Sequence, residues 1–154
     1  MYLGDSTRTL PALREPVRRR QVAPARLLFT SPPYCKVTNY HYDQWLRLWL
    51  LGGPSNALRA GGKYRAKFES EAAYVDLLSK VFKRSAPLLH KKATIYVRTD
   101  RRKFTYETTK QVLREVFPDK HLSAVPRPFG RPTQTHLFGD KTTKLGEVDL
   151  VLSA

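Results

Sequence analysis

The stretch Ala25-Arg26-Leu27-Leu28-Phe29-Thr30-Ser31-Pro32-Pro33-Tyr34 decides how this chain is read. Residues 25–30 form a brief apolar run of the kind that makes a buried or half-buried strand. Pro32 and Pro33 lack backbone N–H groups and cannot continue a hydrogen-bonded ladder, so the strand stops at Ser31. Downstream, a polar, aromatic loop (36–42) leads to Asp43, which can cap a helix over about 44–51. Gly52-Gly53-Pro54 terminates that helix, and the glycine-rich stretch 53–64 reads as a loop. Phe68, Ala72, Val75, Leu78 and Phe82 recur at helical spacing and predict a helix over about 68–84, closed by Ser85 and Pro87. Ala93-Thr94-Ile95-Tyr96-Val97 predicts a second strand. A third helix is expected over 105–117, with Val112, Leu113 and Val116 inward and Pro118 as the stop. Residues 122–125 suit a short strand, 127–138 a proline-rich loop, and 146–153 a last strand in which Val148, Leu150 and Leu152 alternate with Glu147, Asp149 and Val151. Upstream, residues 1–24 are basic and cut by Pro11, Pro16 and Pro24, so they are expected to be irregular. Strands alternating with helices indicate an α/β sheet of about four strands in a single domain spanning 1–154. Binding and catalytic groups in such sheets gather at the carboxyl ends of strands, which is where Ser31–Tyr34 sits.

Composition narrows the class. The chain has 154 residues, 41% of them hydrophobic and 11% aromatic, enough to fold and too much for wholesale disorder. The longest apolar cluster, 45–51, contains Arg47 and falls far short of the roughly 20 residues of a membrane span. No apolar signal-peptide core is seen, so a cytoplasmic location is expected. A single cysteine, Cys35, excludes an internal disulfide framework and a multi-cysteine zinc site; it reads as a small buried thiol. The four histidines are scattered, so no metal is expected. Lys plus Arg number 28 against 13 Asp plus Glu, a net charge of +15. A polyanion explains such an excess best, because phosphate-neutralising cations release counterions. No basic amphipathic helix points to a membrane surface instead.

At Ser31-Pro32-Pro33-Tyr34 the sequence resembles the DNA methyltransferases that methylate exocyclic amines, whose signature is Asp, Asn or Ser, then Pro-Pro, then an aromatic residue. The Ser form favours cytosine-N4 over adenine-N6. The stretch Asn39-Tyr40 to Leu48-Trp49-Leu50-Leu51-Gly52, the upstream Leu3-Gly4-Asp5-Ser6, and the later Pro132-Thr133-Gln134-Thr135 and Gly146-Glu147-Val148-Asp149-Leu150-Val151-Leu152 are similar to further family segments, in order along nearly the whole chain. The resemblance implies transfer of a methyl group from S-adenosylmethionine to the amine of a flipped base. It assigns Ser31 and the Pro32 carbonyl to orienting the amine, Pro33 to stiffening the turn, and Tyr34 to stacking on the base. It implies cofactor contacts for Asp5, Thr30 and Ser31. Cys35 follows Tyr34 rather than a proline, so it does not match the nucleophile of carbon-5 cytosine enzymes.

The resemblance covers only the later half of the family's catalytic domain. The eight glycines (4, 52, 53, 61, 62, 130, 139 and 146) include no pair at the Gly-x-Gly spacing of the family's cofactor loop. A partial Rossmann-like methyltransferase sheet is therefore expected, with an exposed apolar edge that favours a complementing chain or a homo-oligomer. A nucleic-acid-binding module without activity, and an RNA methyltransferase, stay open as alternatives. Residues 79–103 hold nine bases against one acid, Asp100. Arg98, Arg101, Arg102 and Lys103 are expected to follow the second strand and hold phosphates near the motif; Arg18-Arg19-Arg20 either does the same or forms a tail. Lys36, Tyr40 and His41 either close over the base or simply lead into the next helix. Trp45 and Trp49, four apart on a helix, read as core.

Overall fold

The apolar run forms strand β1 (Ala25–Thr30), ending where the prolines require. The computed structural model describes residues 4–35, 45–47, 49–53, 55, 70–128 and 146–154. Expectations for Lys36, Tyr40, His41, the 56–64 loop and the 129–138 loop lie outside these residues. Three further strands, β2 (Leu89–Asp100), β3 (His121–Arg127) and β4 (Glu147–Ser153), complete a sheet of order β1-β2-β4-β3. β1 runs parallel to β2, and β4 lies antiparallel between β2 and β3. The architecture is α/β with a mixed sheet and flanking helices. Pro126 is accommodated because β3 is an edge strand.

β2 is longer than the five residues its branched core suggested. Pairing with Asp149, Val148 and Glu147 of β4 draws Arg98, Thr99 and Asp100 into the strand, while His90, Lys91 and Lys92 extend its other end across an irregularity in the pairing with β1. Arg98 thus belongs to the strand rather than to the turn after it. One sheet face carries Ile95 and Val97 of β2 with Val148, Leu150 and Leu152 of β4, all buried. Helices α2 (Glu71–Ser85) and α3 (Lys103–Val116) pack on this face. Ser70 caps α2 by accepting from the Ala73 amide. The buried stripe of α2 is Tyr74, Leu78 and Phe82, while Val75 is exposed. The predicted stripe is therefore rotated: Tyr74 takes the inward place because its ring packs near Phe104, with centroids 6.1 Å apart. Burial pushes the Tyr74 phenol up to about 12.

The N-terminal segment corrects the expectation of irregularity. Ser6–Arg18 is an α-helix, α1, with Pro11 and Pro16 inside it. An interior proline removes the donor to the carbonyl four residues earlier and typically costs about 3 kcal/mol. For Pro11 that carbonyl is Thr7 O, and the Arg84 guanidinium from α2 donates to it instead. Asp5 Oδ1 caps the helix, accepting from the Thr7 amide at 2.8 Å and the Thr7 hydroxyl at 2.7 Å. Glu15 pairs with Arg18 and Arg19 on the exposed side, so two of the three consecutive arginines have an acidic partner. Residues 45–47 and 49–50 are helical, and Gly52 follows with φ +83°, as the sequence predicts for a glycine stop. Trp45 and Trp49 stack at 6.4 Å, but Trp49 and Leu50 are exposed, so this pair is not part of the core. Among the described residues no helix is long and apolar enough to cross a membrane.

Arg84→Met is expected to remove the substitute donor, lower stability by about 1–2 kcal/mol, and raise amide exchange across α1 while α2, α3 and the sheet keep their protection. Hydrogen exchange read by mass spectrometry checks this.

Candidate functional site

β1 and β2 end at the same rim of the sheet, and antiparallel β4 begins there, with Asp100 opposite Glu147. The chain leaving β1 passes along this rim as Ser31–Cys35. Ser31 is exposed, Pro32, Pro33 and Tyr34 are half-buried, and Cys35 is buried in the core. Among the contacts that hold the segment are two from the rim. Arg102 Nη2 donates to the Cys35 carbonyl at 2.7 Å. The Tyr34 phenol donates to Glu147 Oε1 at 2.6 Å. Burial, then the Glu147 hydrogen bond and charge, push the Tyr34 phenol above its ordinary 10.0, against a lowering by the Ser31 hydroxyl. Tyr34 is therefore a neutral donor throughout the physiological range.

Glu147 is held in turn. Gly146 before it has φ +84°, and a Cβ there would lie 2.7 Å from the Arg127 carbonyl, so only glycine fits. The Gly146 carbonyl accepts from the Arg101 amide. Two residues on, Asp149 is 1% exposed yet charged. Arg98 forks onto it through Nε at 2.7 Å and Nη2 at 3.1 Å, and Arg127 Nε adds a contact at 2.8 Å. These donors, Arg98 above all, hold the Asp149 carboxyl below the usual carboxylate range against the effect of burial, and the hydrogen bond to Asp149 in turn raises Arg98 above its ordinary value. Arg98 also donates to the Tyr96 hydroxyl, and Tyr96 stacks on Phe29 of β1 at 5.0 Å. Arg98 Nε lies 3.7 Å from Glu147 Oε2, joining the two acids.

Within the cationic cluster expected to hold phosphates, two side chains already have acidic partners. Arg98 is engaged by Asp149, because strand pairing sets the two side by side. Arg102 forks onto Asp100 at 2.8 and 2.6 Å and secures the Cys35 carbonyl. Arg101 and Lys103 remain as exposed cations at the rim. The acids Asp100, Glu147 and Asp149 were not singled out from the sequence. The Asp-x-Arg spacing at 100–102 is the one local signal for them; the rest depends on strand register. Asp5, expected near a cofactor, serves α1 as its cap. Thr30 is half-buried and pairs with Val97. Two cavities bordered by described residues lie elsewhere: one of about 420 Å³ beside Thr7, Lys80 and Arg84, and an apolar one of about 220 Å³ between α1 and β1. No protein-family model and no curated protein matches the chain.

Two tests follow from this geometry. Asp149 contributes stability that is present above its unfolded value near 3.8 and is lost as pH falls through its lower folded value. Thermal melts across pH 2–7 (roughly the range that brackets a carboxylate) are expected to show a weaker acid-side loss in Asp149→Asn than in the unmodified chain, from a lower starting midpoint at neutral pH. For the cations, Arg101→Ala with Lys103→Ala is expected to leave the melting midpoint unchanged and reduce the salt slope of DNA affinity by about 2. Arg102→Ala is expected to lower the midpoint, because Asp100 and the Cys35 carbonyl lose their donor. Melting and salt titration of DNA binding distinguish the two classes.

Proposed function

We propose that this chain is the catalytic half of an S-adenosylmethionine-dependent DNA methyltransferase acting on an exocyclic amine, cytosine-N4 in preference to adenine-N6. The observation that carries the reading is the position of Ser31-Pro32-Pro33-Tyr34 at the carboxyl end of a strand paired in parallel, with the Tyr34 hydroxyl tied to Glu147. An exocyclic amine is a weak nucleophile because its lone pair is delocalised into the ring. An acceptor from exposed Ser31 and one from the Pro32 carbonyl favour a pyramidal nitrogen. Tyr34 supplies a stacking surface for a base taken out of the duplex. Preorganised polar groups of this kind contribute about 2.7–4 kcal/mol each in known enzymes.

The chain's own residues do not fit a complete cofactor site. The sequence has no Gly-x-Gly, and Asp5 Oδ1 already accepts two hydrogen bonds at the start of α1. The reading therefore assigns the cofactor cradle to a complementing chain, and S-adenosylmethionine, when bound there, supplies the methyl group. The sheet is read as the latter half of a doubly wound Rossmann-like sheet, with the open edge of β1 as the seam. Leu27, 58% exposed, and Phe29, 69% exposed, support this, because an edge strand carrying large exposed apolar side chains invites a partner. The +15 charge supports a nucleic-acid substrate. The Asp5 cap and the lack of a glycine loop also favour a second reading, an inert nucleic-acid-binding module built on the same half-sheet.

The test is methyl transfer to DNA and RNA oligonucleotides, with the chain alone and co-expressed with a neighbouring reading frame that encodes a Phe-x-Gly-x-Gly segment. Transfer to cytosine N4 in DNA is expected. Ser31→Ala, at an unchanged melting midpoint, and Tyr34→Ala, at a lower midpoint but still folded, are each expected to lower kcat by about a hundredfold or more. Full activity in both variants rejects the assigned roles. Nucleic-acid binding with no calorimetric affinity for S-adenosylmethionine, alone or with the partner, favours the inert module. Transfer to RNA alone moves the reading to an RNA enzyme.

A further inference from the structure

We propose that Glu147 is a positioning residue for base recognition: its carboxylate locks the Tyr34 ring in the orientation in which a flipped base stacks on it. This inference rests on the reading of Tyr34 as the stacking surface.

Glu147 is firmly placed. Its backbone is paired on both sides, with Asp100 of β2 and with Arg127 of β3. The preceding Gly146 cannot be replaced without a clash at the Arg127 carbonyl. Side-chain alternation puts Glu147 on the same sheet face as Asp149, opposite the apolar Val148, Leu150 and Leu152. Arg98, fixed by its fork on buried Asp149, lies beside Glu147 Oε2 and leaves Oε1 for Tyr34. The tether is thus anchored to a rigid brace rather than to another mobile side chain.

A half-buried aromatic ring on a proline-stiffened turn can still change rotamer, and a ligand that needs one rotamer must then supply the ordering. The 2.6 Å hydrogen bond removes that freedom in advance. The raised phenol pKa keeps the donor proton in place at neutral pH. Phenylalanine at the same position offers the same ring face without the tether, so the two contributions can be separated. No local motif marks Glu147, because it lies 113 residues from its partner.

The experiment uses the full chain and a short single-stranded oligonucleotide carrying one pyrrolocytosine, whose fluorescence reports stacking. The unmodified chain is expected to change that fluorescence on binding, and Tyr34→Ala to abolish the change. Glu147→Leu and Tyr34→Phe are each expected to weaken the stacking signal about threefold to tenfold, the scale of ordering one side chain. The double variant is expected to be no worse than either single one. Glu147→Gln keeps an acceptor and is expected to recover most of the signal. A merely structural Glu147 lowers the melting midpoint but leaves stacking by the folded protein unmoved, and that result overturns the inference. If Glu147→Leu does not fold, Tyr34→Phe removes the same hydrogen bond from the other side, and a full signal from it is equally fatal. A normal signal in Tyr34→Ala, or none from the unmodified chain, removes the reading of Tyr34 itself and the inference with it.

Discussion

Strand β4 sets the constraint on which everything else in this molecule depends. It lies antiparallel between β2 and β3, so each of its residues is committed to one sheet face or the other. Val148, Leu150 and Leu152 fill the helix-packed face, and Asp149 points away from it. A slip of one residue would drive Asp149 among the apolar side chains and expose the valine and leucines. A buried carboxylate without partners is far too costly to tolerate, and Asp149 has two arginines in the observed register alone. The ion cluster therefore does more to specify register than to add net stability. Breaking one member leaves the others uncompensated.

The same register builds the rim. Once Asp149 is paired with Arg98, Glu147 must begin β4 opposite Asp100, two positions nearer the carboxyl ends of β1 and β2. That brings a second acid within reach of the Ser31–Tyr34 segment. Asp100, in turn, orients Arg102 toward the Cys35 carbonyl. The motif is thus held by one strand through Glu147 and by another through Asp100 and Arg102, while the buried Cys35 secures its far end. Rigid elements rather than the loop itself set its geometry, the arrangement in which a binding group loses least freedom on engaging a ligand.

Much of this order was legible in the residues. β1 was readable end to end because a proline pair permits no other stop, and β4 because strict alternation has a single strand-like reading. Helices α2 and α3 followed from period and proline stops, although Tyr74 displaced Val75 from the inner stripe. What escaped were features decided between distant segments. Helix α1 was obscured by Pro11, whose cost is offset by Arg84, 77 residues away from the carbonyl it serves. The ends of β2 were hidden by polar residues; Arg98 to Asp100 are strand-like because they pair with β4, some fifty residues on. Of the candidate site, the position of Ser31–Tyr34 was readable and the acids that fasten it were not.

The arginines carry the last consequence. A large positive charge suggests a surface given over to phosphates, yet many of these side chains serve the protein's own backbone and acids. Arg84 replaces a missing helix donor, Arg98 and Arg127 neutralise Asp149, and Arg102 bridges Asp100 to the motif. Arginine suits these tasks because its planar fork makes several directed hydrogen bonds at once, which lysine cannot do. Sequence windows count such residues as binding charge, and the count overstates it. Among the described residues, Arg101 and Lys103 are exposed cations immediately beside the arginine that holds the motif in place. Exposed charge and shaping of the site therefore fall to neighbouring residues in one short turn, and substitutions there must be chosen singly to separate the two effects.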